Sequence, residues 1–380
     1  MLQLGKFYPP YIGGIEKVMF DITEGLNKRG IPCDVLCSNT ARKYVEEDGG
    51  GYRIIRTASY GEFLSVSVTP QIIWKFGRIQ ADYDIIHVHL PNPLASIALL
   101  MAKSRSRVVL HWHNDIIRQR FMLRFYRPLQ DWMLARADAI MTTSPNYIEG
   151  SPFLADHKDK CHVVPIGVDR ARLGASPGIV AGIRERFAGK RIVFSIGRLT
   201  PYKGYRYLVD AAEYLDDDFV ILIAGSGPLE AELSRQIKAR GLGEKVRLLG
   251  PIDYDEVGSY YAASDVYCLS SISRNEGFGI VQLEAMLFNK PVVSTDIKGS
   301  GVSWANLDGE TGLVVPPGDS RALAGAIARI CSDSGLAKRL GESGFRRATE
   351  YFTMERMLAS TIEVYTKILG PAAGGGVAIQ

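Results

Sequence analysis

The chain has 380 residues, of which 46% are hydrophobic and 23% charged, and its formal net charge is +4. This length exceeds what one ordinary hydrophobic core accommodates and suits two domains of common size. No apolar run approaches the ~18 residues needed to cross a bilayer, which excludes a transmembrane helix. The first residues lack the basic and apolar regions of a secretory signal, so we expect a cytoplasmic protein.

The positive charge is concentrated in one segment of the N-terminal half. Residues 101–136 contain only Asp115 and Asp131 as acidic side chains, against the basic side chains of Lys103, Arg105, Arg107, Arg118, Arg120, Arg124, Arg127 and Arg136. Such a local imbalance indicates an anionic partner.

Short β-rich runs alternate with longer segments of helical period along the whole chain. In the first half these runs are DIIHVHL (84–90), RVVLHWH (107–113), AIMTTS (139–144) and KCHVVPIGV (160–168). After a loop near 170–180 rich in Gly, Ala, Ser and Pro, similar runs follow at 191–197, 219–225, 245–250, 265–270, 291–296 and 312–316. The alternation predicts parallel βαβ units, and therefore an α/β fold of two successive doubly wound domains.

We place the N-terminal domain at 1–170 and the C-terminal domain at 171–350. In doubly wound sheets ligands bind beyond the carboxyl ends of the strands, so two Rossmann-like domains predict a cleft between facing sheet edges. The segment 351–370 has an amphipathic pattern that predicts a helix crossing back to the N-terminal domain. The tail 371–380 has too little to bury, and we expect it to be disordered.

The segment RNEGFGIVQLEAM (274–286) carries two glutamates, Glu276 and Glu284. If a helix begins near Gly277, its free N–H groups and positive dipole end can hold sugar hydroxyls and a phosphate. Glu284 then lies about two turns along, where its carboxylate can accept hydrogen bonds from a ribose diol. The structural alternative is that Glu276 caps the helix and Glu284 faces solvent.

A second segment, SIGRLTPYKGYRYLVDA (195–211), places Arg198 directly after a predicted strand and Lys203 before the next helix. Both cations are expected at the carboxyl end of that strand. Fixed cations at such a position can stabilise an anionic group such as a diphosphate without a metal. The alternative is that both are ordinary loop charges.

Gly13 and Gly14 lie between the first strand and the first helix, where the absence of a Cβ lets the backbone approach a ligand. A Gly-Gly pair by itself is more often only a turn.

Histidines flank Trp112 in LHWHNDIIRQR (110–120). Because side chains alternate along a strand, His111 and His113 share one face and Trp112 takes the other. Two such histidines can bind zinc, but the sequence shows no third ligand cluster, and a satisfied core role is expected for one of them. We assign the site role to His113, and treat His87 and His89, which have the same spacing, as structural or acceptor-side residues.

The stretch RQRFMLRFYRPLQDWML (118–134) interleaves Arg118, Arg120, Arg124 and Arg127 with aromatic residues. A basic and aromatic amphipathic helix suits an anionic membrane surface. Alternatively, its aromatic side chains face the core of their own domain.

Together these segments resemble the retaining glycosyltransferases of family 4, which have the GT-B fold. HWHND (111–115), EGFGIVQLEAM (276–286) and GSGVSWAN (299–306) are similar to bacterial polysaccharide-assembly mannosyltransferases. The resemblance implies that domain 1–170 is the acceptor side and that domain 171–350 binds the nucleotide sugar. It also implies that Glu276 contacts the transferred sugar and Glu284 the nucleotide ribose. It assigns donor contacts to Arg198 and Lys203 at the diphosphate, Gly13 and Gly14 at the donor phosphate, His113 at the sugar's primary hydroxyl, Ile252 at the base, and the backbone of Gly277, Phe278, Gly279 and Ile280.

The expected activity is metal-independent, retaining transfer of a hexose, α-mannosyl from GDP-mannose, to a lipid-linked saccharide in surface polysaccharide or O-antigen assembly. We expect no cofactor, no nucleic-acid partner, and peripheral contact with the inner face of the cell membrane. A UDP-sugar donor, a nucleotide-sugar epimerase of the same architecture, and a non-catalytic sugar-binding protein are the alternatives. A nicotinamide oxidoreductase is disfavoured, because no complete Gly-x-Gly-x-x-Gly follows a predicted strand.

Overall fold

The computed structural model describes residues 1–11, 13–63, 66–115 and 120–370. The chain divides into two compact units. We call the unit formed by Met1–Ile166 and the segment from Met354 onward the N-domain, and Gly167–Thr353 the C-domain. Within the described ranges, no helix combines the length and apolar character that spanning a membrane requires.

The N-domain is an eight-stranded sheet covered by helices, with strand order β10-β9-β8-β7-β1-β2-β4-β3. All neighbouring strands are parallel except β3 and β4, and β5 and β6 form a separate antiparallel pair. Its strands are β1 (Leu2–Leu4), β2 (Asp34–Ser38), β3 (Val45–Asp48), β4 (Arg53–Thr57), β5 (Glu62–Phe63), β6 (Val66–Ser67), β7 (Ile85–Leu90), β8 (Arg107–Trp112), β9 (Ala139–Thr142) and β10 (Cys161–Val163). Its helices up to this point are α1 (Gly14–Lys28), α2 (Gln71–Ile79), α3 (Pro93–Ala102), α4 (Arg120–Arg136) and α5 (Pro145–Gly150).

The C-domain is a six-stranded, fully parallel sheet with strand order β13-β12-β11-β14-β15-β16. Its strands are β11 (Arg191–Ile196), β12 (Phe219–Ala224), β13 (Val246–Gly250), β14 (Val266–Leu269), β15 (Val292–Thr295) and β16 (Gly312–Val315). The helices are α6 (Pro177–Arg186), α7 (Tyr205–Ala211), α8 (Glu230–Ala239), α9 (Tyr254–Ala263), α10 (Ile280–Met286), α11 (Val302–Ala305), α12 (Ser320–Ser332) and α13 (Ser334–Tyr351). The direction of the strand order reverses between β11 and β14, and ligands of such sheets bind beyond the carboxyl ends of the strands at this switch point.

The apolar runs of the sequence form the central strands because helices cover both faces of each sheet. Every residue of β7 and of β12 is buried. All ten predicted runs contain a strand, although the run 160–168 contains only the three residues of β10. These observations confirm the predicted α/β class of two Rossmann-like domains.

The last helix, α14 (Met354–Leu369), belongs to the N-domain by its contacts. It packs on α1, where a Cβ built on Gly25 would lie 2.3 Å from Cδ1 of Leu358. This close approach requires a residue without a side chain at position 25. Tyr365, near the end of α14, is completely buried. The N-domain is therefore built from both ends of the chain.

Candidate active site

Two loops meet at the switch point of the C-domain sheet. One follows β11 and carries Arg198 and Lys203, and the other follows β14 and carries Glu276. Lys203 Nζ lies 2.6 Å from Glu276 Oε2, and the two side chains are only 11% and 10% exposed. The fold therefore joins two of the predicted site residues as a buried ion pair, a partnership that the sequence analysis did not anticipate.

Short polar contacts hold the two loops together. Ser271 Oγ donates a hydrogen bond of 2.7 Å to Glu276 Oε2, and Ser270 Oγ donates one of 2.9 Å to the Lys203 carbonyl oxygen. Gly204 has a left-handed backbone, with φ +68°, and a Cβ there would lie 2.1 Å from the Ser270 carbonyl oxygen. Glycine is therefore needed at this position both for its conformation and for the approach of the neighbouring loop.

The ion pair fixes the charge of the lysine. Burial by itself would lower the pKa of Lys203, because it disfavours the ammonium form, but attraction to the Glu276 carboxylate outweighs burial and raises the pKa above its ordinary value. Arg198 is exposed, and within the described residues its guanidinium forms neither a hydrogen bond nor an ion pair. The switch point therefore holds two cations, Lys203, which is paired with Glu276, and Arg198, which has no acidic partner among the described residues.

The helix after Glu276 begins later than the sequence pattern suggested. It starts at Ile280 rather than near Gly277, because Gly279 adopts a left-handed conformation with φ 75° and ψ 57° and serves as the N-cap. Glu284 consequently lies about one turn into α10, not two. It is 7% exposed, and Tyr261 Oη donates a hydrogen bond of 3.0 Å to its Oε2. The alternative in which Glu276 caps the helix and Glu284 faces solvent is therefore wrong.

The residues between Glu276 and α10 are held from behind by the loop after β15. Ser300 Oγ donates to the Glu276 carbonyl oxygen at 2.5 Å, and the Gly301 N–H donates to the Gly277 carbonyl oxygen at 2.8 Å. The ring of Phe278 packs against Trp304 and Phe352. Phe278 therefore anchors this turn in the core, and only its backbone is left for a ligand.

Ile252, the predicted base contact, lies half-buried between β13 and α9. An open cleft of about 630 Å³ lies farther along the same sheet edge, beyond the ends of β14, β15 and β16. Its lining includes Ser273, Arg274, Asp296 and Lys298. These residues were not predicted from the sequence, because a charge in a loop carries no recognisable spacing.

The space beside Gly13 in the N-domain is filled by the carboxylate of Glu16. Gly13 precedes α1, and a Cβ there would lie 2.1 Å from Glu16 Oε2, whereas one on Gly14 would meet nothing within 4 Å. Glu16 is 8% exposed, and burial raises the pKa of its carboxyl group. The absence of a side chain at Gly13 thus makes room for Glu16, while the backbone at Gly14 is open to a ligand.

Four histidines form a stack on one face of the N-domain sheet. His87 and His89 come from β7, His111 from β8 and His113 from the residue after β8, and His89 lies opposite His111 in the parallel register. Neighbouring rings are nearly parallel, with centroids 4.7 Å apart for His87 and His89 and 4.1 Å apart for His111 and His113. Trp112 points to the other face, into the apolar core, as the alternation predicts.

Three of these histidines form a cluster whose ring nitrogens lie within 4.8 Å of one another, namely His87, His89 and His111. The sequence had shown no third ligand beside His111. A zinc ion sits about 2.0–2.1 Å from each nitrogen and in the plane of each ring. Rings inclined by only 9–22° to one another do not share such a point, so the stack lacks the geometry of a formed zinc site.

Hydrogen bonds connect this stack to two residues that the sequence analysis missed. His113 Nε2 lies 2.9 Å from His89 Nδ1, and His89 Nε2 lies 2.8 Å from Gln3 Oε1. Gln3 Nε2 in turn donates to Tyr365 Oη at 3.3 Å. By contrast, neither nitrogen of His111 has a partner among the described residues, so the expectation of a satisfied core histidine is wrong at this position.

The basic segment is described only in part. Arg118 lies outside the described residues, and Arg120 begins α4. Arg124 and Arg127 are exposed, and Arg127 approaches Asp131 at 3.7 Å. Tyr126 is half-buried, and its hydroxyl is hydrogen-bonded to Ser96 Oγ at 3.0 Å. The helix thus presents arginines outward and at least one aromatic side chain inward.

The chain matches two family descriptions in sequence. Residues 12–172 match Glycosyltransferase Family 4, and residues 182–347 match Glycosyl transferases group 1. It is 33% identical over 363 residues to the O-antigen chain mannosyltransferase C of Escherichia coli, covering 96% of both chains. It is 32% identical over 358 residues to the D-rhamnosyltransferase WbpZ of Pseudomonas aeruginosa, covering 93% of this chain and 92% of that one. This protein therefore belongs to glycosyltransferase family 4.

Solved structures support the fold. Sucrose-phosphate synthase from Thermosynechococcus elongatus superposes with a TM-score of 0.80 at 23% identity, covering 97% of this chain and 98% of that one. HepE from Anabaena in complex with UDP gives a TM-score of 0.77 at 22% identity, covering 96% and 99%. The predicted GT-B class is confirmed.

We predict that the Lys203–Glu276 pair is strongly coupled. K203M leaves a buried carboxylate without its counter-charge and is expected to lower the free energy of unfolding by about 3 kcal/mol. The double variant K203M/E276Q removes both charges and should recover about 2 kcal/mol of that loss. Calorimetric unfolding of the intact chain provides the measurement.

Lys245 provides the matched control, because its ion pair with Asp217 lies at a surface where Asp217 is 95% exposed. K245M should cost less than about 1 kcal/mol. Strictly additive effects of K203M and E276Q would contradict the coupling.

We also predict that acid destabilises the N-domain through the histidine stack. Burial lowers the pKa of His111 to about 3, and it lowers those of His87, His89 and His113 well below their ordinary value. The unfolded chain binds protons below pH 6.5, whereas the folded stack does not. Stability is therefore complete above pH 6.5 and is lost progressively as the pH falls toward 3. Between neutral pH and pH 5, His111 alone should lower the free energy of unfolding by about 2 kcal/mol.

The measurement is the melting temperature between pH 7.5 and 5.0. H111F keeps a ring in the stack but removes one titrating group, so its melting temperature should fall less over this interval than that of the parent. An equal fall in both proteins would show that His111 does not contribute.

Proposed function

We propose that this protein transfers an α-mannosyl residue from GDP-mannose to a lipid-linked saccharide acceptor, with retention of configuration and without a metal. The observation that carries the proposal is the buried Lys203–Glu276 pair beside the exposed Arg198, at the switch point of the C-domain sheet. Two relatives that match along nearly the whole chain are named for transfer of mannose and of D-rhamnose, and one of these names includes the O-antigen chain.

Arg198 and Lys203 are assigned to the diphosphate of the donor. Both follow β11 at the edge where ligands of such sheets bind, and the pair of cations can stabilise the charge that develops on the leaving phosphate. Lys203 holds its charge because Glu276 raises its pKa. Arg198 has no acidic partner in the described part of the chain, so no side chain there competes with an incoming phosphate for its guanidinium.

Glu276 and Glu284 are assigned to the sugar and the nucleotide ribose. One carboxylate oxygen of Glu276, Oε2, is paired with Lys203 and accepts a hydrogen bond from Ser271, and these two interactions fix the direction of the carboxylate. Tyr261 fixes Glu284 in the same way. A carboxylate held rigidly can accept hydrogen bonds from neighbouring hydroxyls of a ribose or hexose without first paying an orientational entropy cost. The backbone at Gly277 and Gly279 completes this side of the site, and His113 is assigned to the sugar from the N-domain.

Retention is proposed to occur by attack on the same face from which the phosphate departs. The bond between the sugar C1 and the phosphate oxygen breaks, the acceptor oxygen bonds to C1, and the acceptor proton passes to the departing phosphate. This route suits the geometry, because the carboxylate of Glu276 is paired with a cation and is therefore a weak nucleophile.

The lipid-linked acceptor and a peripheral membrane contact are assigned to the N-domain. Arg124 and Arg127 on α4 are exposed and can approach anionic headgroups, whereas Tyr126 turns inward. Under this assignment the protein acts at the cytoplasmic face of the membrane.

The experiment is a donor panel with purified protein in EDTA. GDP-mannose, its 6-deoxy counterpart, other GDP-sugars and UDP-sugars are incubated with and without membrane extract that contains lipid-linked saccharides, and nucleotide release is followed. Acceptor-dependent release from GDP-mannose is expected. Turnover of UDP-sugars alone would contradict the assignment of GDP-mannose as the donor. A change of the sugar that does not depend on the acceptor would indicate an epimerase. Activity that requires an added divalent metal would overturn the metal-free mechanism.

We predict that R198A lowers kcat by about 100-fold, because one preorganised charge at the leaving group is lost. The control is R235A, since Arg235 is also exposed in the C-domain but lies on α8, away from the strand ends. R235A should retain parental kcat. The assay is initial-rate kinetics with the preferred donor, and a change of less than threefold in R198A would remove Arg198 from the mechanism.

A further inference from the structure

The hydrogen-bonded chain from Tyr365 to His113 has a direction. Gln3 is completely buried, and its Nε2 donates to Tyr365 Oη, so its Oε1 faces His89. An amide oxygen only accepts, and therefore the Nε2 of His89 carries the hydrogen. The direction of one buried amide thus determines the hydrogen on the neighbouring ring.

The position of the hydrogen on His89 in turn determines the position of the hydrogen on His113. Burial keeps His89 and His113 neutral at physiological pH, because their pKa values lie well below the ordinary one. A neutral imidazole carries a single hydrogen, so Nδ1 of His89 is an acceptor. Nε2 of His113, 2.9 Å away, must then be the donor. This leaves Nδ1 of His113 as a lone pair.

That lone pair differs from the other unused nitrogens of the stack. Nδ1 of His113 has no hydrogen-bond partner among the described residues, and His113 follows β8 directly at its carboxyl end, whereas the unpaired nitrogens of His87 and His111 belong to residues within β7 and β8. It is thus the one nitrogen of this ring that is left to accept a hydrogen bond from a ligand at the strand end.

We propose that Gln3 and His89 are positioning residues that hold His113 in its Nε2–H tautomer, so that Nδ1 accepts a hydrogen bond from a hydroxyl of the bound sugar. Tyr365 lies at the other end of this hydrogen-bonded relay, where its hydroxyl accepts from Gln3 Nε2 and is also hydrogen-bonded to Nδ1 of His87 at 2.5 Å. The relay follows from the hydrogen bonds and from the burial that keeps both rings neutral, and its consequence for the sugar rests on the proposed function. An acceptor at this position favours a sugar with a hydroxyl over one without it.

The tautomer is measured on the intact protein without substrate, by ¹⁵N NMR of histidine-labelled protein at pH 8. The relay predicts that His113 carries its hydrogen on Nε2 in the parent. In Q3M the amide is lost while the side-chain volume is kept, and His113 should then populate both tautomers. In Q3E an accepting oxygen remains, and the Nε2–H form should persist.

H111F is the matched control, because His111 stacks on His113 with ring centroids 4.1 Å apart but has no hydrogen bond among the described residues. It should leave the His113 tautomer unchanged. An Nδ1–H form of His113 in the parent, or an unchanged tautomer in Q3M, would overturn the relay.

The functional arm compares kcat/KM for GDP-mannose with that for its 6-deoxy counterpart. We expect the preference for the hydroxylated donor to fall about tenfold in Q3M and in H89F and to stay unchanged in H111F. A merely structural role would lower both rates together, and an unchanged ratio would overturn the positioning role. If the parent turns over no donor, the proposed function fails, and the NMR result alone decides the relay.

Discussion

The ion pair between Lys203 and Glu276 depends on the strand order of the C-domain. The ends of β11 and β14 are neighbours only because the order of the sheet reverses between them, so the loops that follow meet at one edge. Two charges removed from water are costly to bury, and they persist here because Ser271 adds a hydrogen bond and Gly204 lets the loops touch. The pair connects the loop after β11 to the turn before α10, and Glu284 lies about one turn into this helix.

Apolar runs were sufficient to predict the central strands and the fold class. Parallel strands buried on both faces are mostly apolar, and β12 (FVILIA) satisfies this requirement directly, whereas the apolar run of β7 (IIHVHL) is interrupted by His87 and His89. The same signal is weak for β3, a strand at the sheet edge whose residues VEED are half-buried or exposed. Its antiparallel pairing with β4 could not be predicted from hydrophobicity, because charged residues at an edge resemble a loop.

The candidate site was predictable in its residue types but not in its partnerships. The motifs placed Lys203 and Glu276 near one ligand, but a contact between residues far apart in sequence requires the folded sheet. The start of α10 was misplaced because Gly277 and Gly279 are equivalent in the sequence, and only the backbone shows which of them is left-handed. Gln3 gave no signal at all, since a polar residue in a short apolar strand becomes meaningful only beside His89.

The histidine stack places several polar side chains in the interior of the N-domain, where they reduce its stability. Four imidazoles and an amide occupy a face of the N-domain sheet that aliphatic side chains could fill, and several of the ring nitrogens have no partner among the described residues. Unpaired buried polar atoms are unfavourable for folding. Such unfavourable burial is typical of positions that serve a ligand, which is the role proposed for His113 at the end of the hydrogen-bonded chain.

The return of α14 to the N-domain has a consequence for biosynthesis. Domains usually fold as they leave the ribosome, with the N-terminal one first. Here the segment that covers α1 and supplies Tyr365 is translated only after the whole C-domain. The first domain to emerge therefore waits, incomplete, until the entire second domain has been made. A ribosome that stops within α13 releases a chain whose C-domain sheet is finished but whose N-domain lacks its final helix.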